Sequence, residues 1–214
     1  MATNISKKNK KVYYICLEMS DTQIMSKILS YEANISNQII FNGNWNENEF
    51  EKINKAINTL CSNDNLIINT KLRYLEDIIS KIKRLRAKGE VDVVIIDYMS
   101  LICTKQRNQT VRDKVSQISR ELKLLSLELD MPIIVLSQLN REAENREPSI
   151  ADLRESGSVE QDADNIILLH CDEEEKNKVT SKVLCKLAKH RAGMTMKFDI
   201  LFMKATNRYA CIEE

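Results

Sequence analysis

Hydrophobic residues follow two rhythms along this chain. Short unbroken runs suit strands buried on both faces, and stretches in which apolar positions recur every third or fourth residue suit helices with one buried stripe. The runs Val12 to Leu17, Leu66 to Thr70, Val91 to Asp97, Ile133 to Ser137 and Ile166 to His170 read as strands. Between the first two, Ser20 and Gln23 have capping-box spacing ahead of Ile24, Ile28 and Leu29, which predicts a helix to about Ala33. Asn46 with Glu49 repeats the signal before Phe50, Ile53, Ile57 and Leu60. Leu75 to Ala87 reads as a basic amphipathic helix ending near Gly89. A longer helix carries the stripe Val115, Ile118, Leu122, Leu125 and Leu129 and stops before Pro132.

Strands alternating with helices predict an α/β fold, a mostly parallel sheet with helices on both faces. Beyond the acidic turn Asp172 to Glu175 the rhythm changes. Val183 to Ala188 and Met196 to Met203 follow without a helix between them, which predicts an antiparallel hairpin on the sheet edge. No internal repeat and no second domain is expected. Four Gly and two Pro leave little room for linkers, so the 214 residues are expected to form one sizeable domain.

Composition narrows the class more than the function. At 43 % apolar residues a real core is expected, and the longest apolar run is too short to span a membrane. The basic start, Lys7, Lys8, Lys10 and Lys11, lacks the apolar segment of a signal peptide, so a soluble, cytoplasmic protein with no membrane partner is expected. Six scattered cysteines without a C-x-x-C pair read as reduced thiols rather than a zinc site. A net charge of +1 gives no electrostatic case for nucleic acid, so any such claim must rest on particular residues.

Three strand ends supply them. Val93-Val94-Ile95-Ile96-Asp97 places a carboxylate at the C-terminal edge of a parallel sheet, where α/β folds bind ligands. There an acid can hold the water shell of a phosphate-bound Mg2+, although apolar strands ending in Asp are common. Glu18 directly follows the first strand and suits a base that orients an attacking water; it equally suits a charge favoured by the dipole of the next helix. Ser137 and Gln138 end a third strand, where an amide could sense a γ-phosphate or merely cap a turn.

With these residues in view, a family resemblance becomes specific. Leu17-Glu18-Met19-Ser20, Ile95-Ile96-Asp97-Tyr98, Ser137-Gln138-Leu139-Asn140-Arg141 and the run from Asp152 to Asp164 (DLRESGSVEQDAD) occur in the order of the motifs of the DnaB-family replicative helicase motor, which this chain resembles. The similarity covers the chain from about Val12 to Glu214. It implies a RecA-like fold with the C-terminal hairpin, and ATP with Mg2+ as cofactors. Glu18 is then the catalytic carboxylate polarising the lytic water, Asp97 the Walker B acid that holds the metal through water, and Gln138 the γ-phosphate sensor. Lys189-His190-Arg191-Ala192-Gly193 resembles the family's Lys-Gln-Arg-Asn-Gly segment, with His190 and Ala192 departing from it. Lys189 and Arg191 would reach the ATP of a neighbouring subunit, Arg191 as an arginine finger.

The resemblance also implies that Arg154, Glu155 and Gly157 lie on a loop that follows single-stranded DNA through a ring's central channel. Arg154 can pair with phosphate, and Gly157 lets the main chain approach closely. The alternative for each residue is a salt-bridged surface turn. Implied partners are single-stranded DNA, a homo-hexamer or a complementing upstream fragment, primase and a helicase loader.

One part of the motor is missing. No G-x-x-x-x-G-K-[ST] occurs, and Gly43, Gly89, Gly157 and Gly193 are isolated. Residues 1–214 are therefore expected to be a single motor domain, incomplete at the N-terminus, without the Walker A strand and loop or the N-terminal collar domain. Ala2 to Ser6 reads as the last turns of the helix that such a loop opens. The leading expectation is an ATP-dependent replicative helicase motor, inactive alone. The alternatives are a non-hydrolytic single-stranded-DNA-binding or helicase-interaction module, and a different RecA-fold ATPase, against which the run from Asp152 to Asp164 argues.

Overall fold

The computed structural model describes residues 1–106, 109–140, 143, 146–153 and 157–212. In chain order these form α1 (Ala2–Ser6), β1 (Val12–Cys16), α2 (Asp21–Ala33), α3 (Asn37–Asn42), α4 (Glu47–Cys61), β2 (Leu66–Asn69), α5 (Leu75–Ala87) and β3 (Val93–Asp97). Then come α6 (Val111–Leu129), β4 (Ile133–Val135), α7 (Gly157–Asp162), β5 (Asn165–His170), α8 (Glu173–Lys176), β6 (Thr180–His190), β7 (Met196–Met203) and β8 (Arg208–Cys211). No helix among the described residues is long and apolar enough to cross a membrane.

Local chemistry explains most boundaries. Asn46 and Glu49 exchange side-chain and backbone hydrogen bonds as a capping box at the start of α4. Thr110 caps α6 by accepting from the Asp113 N–H. Helix α5 runs into Gly89, whose φ of +66° ends the helix in a conformation that side chains with a Cβ resist.

The chain divides into two units. The first comprises residues 1–21, 63–139 and 153–163, and its sheet has the order β2-β1-β3-β4 with every pair parallel. Alternation along the strands sorts the side chains to two faces. On one face Tyr13, Ile15, Leu17, Val94 and Ile96 pack with the stripes of α5 and α6, Ile78, Ile82, Ile118 and Leu122 among them. On the other, Val12, Val93 and Ile95 form a smaller cluster with Tyr14 and with Ala2 and Ile5 of α1. The expected parallel sheet with helices on both faces is therefore present.

The second unit comprises residues 22–62, 140–152 and 164–214. Its sheet is antiparallel throughout, in the order β5-β6-β7-β8. The expected hairpin is its middle pair, β6 and β7, but this pair belongs to a four-stranded sheet of its own and does not extend the parallel one. Two features hid this arrangement. β5 has the apolar look of a parallel strand yet buries only alternate residues, Ile166 and Leu168, while Ile167 and Leu169 are exposed. β8 is four residues long, too short for a hydrophobic rhythm to register. In the same unit Ala33, Ile35, Ile40, Ile53 and Ala56 make the core of α2, α3 and α4.

Candidate active site

In the first unit, three adjacent strands deliver the three residues singled out from sequence. Asp97 closes β3 and pairs in register with Cys16, so Glu18 stands two residues beyond that pair, past the end of β1. The Leu17 N–H donates to the Asp97 carbonyl at 2.7 Å, which extends the ladder up to Glu18. On the other side of β3 the Leu136 N–H donates to the Ile96 carbonyl and the Met99 N–H to the Leu136 carbonyl, both at 2.9 Å. This carries Gln138 out beyond β4 on the same C-terminal edge. Glu18 and Gln138 are exposed and Asp97 is half-buried.

The Asp97 carboxylate is held from within the sheet. Tyr14 Oη donates to its Oδ2 at 2.9 Å. Burial, and then the negative charge of Asp97, push the Tyr14 phenol above its ordinary range, so it remains a proton donor. This contact was not anticipated from sequence, because it depends on β1 and β3 being adjacent, parallel and in this register.

The residues of this edge fit one side of a magnesium nucleotide. No cluster of three or more His, Cys, Asp or Glu that could hold a metal occurs among the described residues. The donor set at this edge is the half-buried Asp97 carboxylate, held at Oδ2 by Tyr14, with the exposed Glu18 carboxylate and Gln138 amide on the neighbouring strand ends. A main-chain cradle for the phosphates is not part of this set, since no glycine in the chain is followed by the Lys and hydroxyl residue of such a loop.

In the second unit, Lys189 and Arg191 lie at the end of β6. Lys189 is half-buried and pairs with Ile166 beside a register shift in β5. The exposed Arg191 donates from Nη1 to Asp164 Oδ1 at 2.8 Å, and its main-chain N–H to the Asp164 carbonyl at 2.9 Å. An exposed pair of this kind contributes little stability, so the guanidinium can exchange Asp164 for another anion at small cost. A Cβ on Gly193 would stand 2.7 Å from the His190 ring, so glycine makes room for the imidazole in the turn after β6.

The expected DNA residues divide. Arg154 and Glu155 lie outside the described residues. Gly157 begins α7 and is exposed. Its φ is not left-handed and nothing lies within 4 Å of where a Cβ would stand, so the fold does not itself demand a glycine there. Helix α7 is tied to α6 by the Ser116 and Ser158 hydroxyls at 2.9 Å, and by Ser119 Oγ donating to Asp162 at 2.8 Å.

Two further clusters in the second unit escaped the sequence reading. Buried Asp152 accepts from Arg146 Nη1 and from the N–H and hydroxyl of Ser149, each at 2.8 Å, while Arg146 Nη2 reaches its other oxygen. The Arg146 hydrogen bonds, then those from Ser149, hold this carboxyl well below the usual carboxylate range. Glu147 accepts from Lys186 of β6 and lies 2.6 Å from Lys197 of β7, and these contacts take its pKa down to about 2. A polar run such as Arg146-Glu147-Pro148-Ser149 signals a turn, but not which partners it will find.

Comparison with known proteins identifies the family. The model of the DnaB-like helicase C terminal domain matches residues 1–211. The replicative DNA helicase DnaB of Geobacillus stearothermophilus is 34 % identical over 222 residues, covering 100 % of this chain and 48 % of that protein. A probable plasmid replicative DNA helicase of Chlamydia psittaci is 31 % identical, covering 98 % of this chain and 47 % of its own length. The chain thus spans about half the length of the curated relatives it matches. Among solved structures, a DnaB-like replicative helicase, described with its primase interactions, superposes with a TM-score of 0.89 at 32 % identity, covering 99 % of this chain and 54 % of that one. A second solved chain, an ATPase domain, superposes with a TM-score of 0.87 at 32 % identity over 99 % of this chain and 78 % of that one. A whole-chain family match, relatives of one kind and a RecA-like helicase fold agree: this chain belongs to the DnaB-like helicase C-terminal domain family.

Proposed function

We propose that residues 1–214 act as one motor domain of an ATP-dependent replicative DNA helicase, which works as a hexamer in the cytoplasm and moves along single-stranded DNA. The observation that carries the reading is the convergence of Glu18, Asp97 and Gln138 on one edge of the parallel sheet through directly paired strand ends. Bound magnesium supplies charge neutralisation at the phosphates. Asp97 holds the metal's water shell, Glu18 orients and deprotonates the attacking water, and Gln138 donates to the terminal phosphate. Lys189 and Arg191 serve the nucleotide of a neighbouring subunit. The 214 residues hold no phosphate loop of their own, so turnover requires one from an upstream segment. Primase and a helicase loader are the protein partners that this role implies.

Arg154, Glu155 and Gly157 form the DNA contact, with Arg154 on a phosphate, the Gly157 main chain close to the backbone, and Glu155 acting through its main chain. Binding should favour single strands, ignore base sequence and weaken with salt. For protein shown by light scattering to be assembled, Arg154→Ala should flatten the slope of log affinity against log salt by roughly 0.7, the value for one counterion released from a single strand. Gly157→Val should weaken binding while leaving the fold intact, since the space for a Cβ is open. An assembled protein whose affinity and salt slope are untouched by both substitutions would remove these residues from the DNA path.

A further inference from the structure

We propose that Tyr14 is a positioning residue for Asp97: its phenol fixes the carboxylate by engaging Oδ2 and so reserves Oδ1 for the water shell of a divalent cation. The inference rests on the reading of Asp97 as the metal-organising acid. It adds a residue that carries no such role in the motifs described above.

The argument starts from strand parity. Tyr14 pairs with Ile95 and Cys16 with Asp97, so Tyr14 and Asp97 share one face of the sheet and are diagonal neighbours two residues apart in register. A tyrosine ring spans that diagonal, and the phenol meets the carboxylate at 2.9 Å. Apart from the Cys16 thiol, a weak hydrogen-bonding group beside the phenol, the remainder of that face is aliphatic, built from Val12, Val93 and Ile95 with Ala2, Ile5, Leu66 and Ile134 around them. Any branched aliphatic residue would fill such a slot without needing a hydrogen-bond partner. A hydroxyl placed there has to be satisfied, and its strong acceptor is the carboxylate at the nucleotide edge, a thiol being a weak one.

The bond also constrains Asp97 more than packing could. Its main chain is already fixed through the Leu17 N–H, and the phenol now sets the side-chain torsion, so that one oxygen is committed. The other, Oδ1, has no donor among the described residues. A carboxylate that binds a metal through water needs one oriented, uncommitted oxygen, and partners that orient such ligands typically change metal affinity by about 10-fold to 100-fold.

The test uses manganese(II) alone as a probe, on the full 214-residue chain with isotope labels. Paramagnetic broadening of the Asp97 and neighbouring resonances, titrated with metal, gives an apparent affinity at this edge. Asp97→Asn marks the background from other acids. Tyr13→Phe is the control, because it removes a hydroxyl from the same strand that is buried without a partner among the described residues and faces away from Asp97. The expected result is dose-dependent broadening at Asp97 in the wild type, about tenfold weaker in Tyr14→Phe and unchanged in Tyr13→Phe. Equal affinity in wild type and Tyr14→Phe overturns the proposal alone. Wild-type broadening no different from Asp97→Asn overturns the reading of Asp97 itself, and the proposal with it. Should Tyr14→Phe disturb the fold, Tyr14→Leu gives the same readout with an aliphatic side chain in the slot, and is held to the same result.

Discussion

At the scale of single residues, what was legible in the sequence was where a carboxylate or amide follows an apolar run. A parallel strand delivers its last side chain to the ligand edge whatever the rest of the fold does, which is why Glu18, Asp97 and Gln138 could be picked out in advance. The Tyr14 contact could not, since its partners stand 83 residues apart and meet only if β1 and β3 are adjacent in one register. Asp152 differs, for Arg146 and Ser149 lie only six and three residues before it, but a polar run does not say which of its side chains turn back to meet the carboxylate. That pairing makes a pH prediction. The folded-state pKa of Asp152 lies below the unfolded value of about 3.9, so its contribution is fully present above about pH 4 and is lost as pH falls through the folded value. Asp152→Asn should therefore be less stable than wild type at pH 7, with the gap closing only under strong acid. Urea melts at about pH 7, 4 and 2.5 measure it, and a gap that already closes between the first two would show that the carboxylate is not held by these hydrogen bonds.

At the scale of elements, helices were legible because their signals are local. The Asn46 and Glu49 box, the stripe from Val115 to Leu125 and the stop at Gly89 each lie within a few turns of chain. The short α3 was not expected, having too few residues for a period to show before Gly43, at φ +75°, ends it. Strands other than the short β8 are legible, but of the antiparallel pairings only the β6–β7 hairpin is. The apolar run of β5 looks like one more parallel strand, yet it pairs antiparallel with β6, because pairing is decided by contacts remote in sequence. The capping box gives the cleanest energetic check at this scale. Asn46→Ala removes the side-chain acceptor for the Glu49 N–H, and a loss of about 1 kcal/mol is expected. α4 contributes Ile53 and Ala56 to the core of its unit, so the loss should appear in the unfolding of the whole unit. No change in the denaturation midpoint would mean that the box is formed without stabilising α4.

At the scale of the molecule, the helicase reading joins a parallel sheet carrying water-activating and metal-organising residues with an antiparallel sheet carrying Lys189 and Arg191. The proposal requires both sets to serve one cycle of hydrolysis, which is a matter of turnover. The most direct measurement is the rate of ATP hydrolysis, with and without single-stranded DNA, for the chain alone and for the chain joined to an upstream segment that supplies a phosphate loop. The account predicts negligible turnover alone and DNA-stimulated turnover when joined. Glu18→Gln should abolish that turnover, and Arg191→Ala should lower it by about three orders of magnitude. Mixing the two variants should recover part of the activity, because hybrid interfaces pair an intact Glu18 with an intact Arg191. Turnover by the joined protein that survives Glu18→Gln would contradict the assignment of the nucleotide edge, and DNA-stimulated hydrolysis by the 214 residues alone would contradict the need for an external phosphate loop.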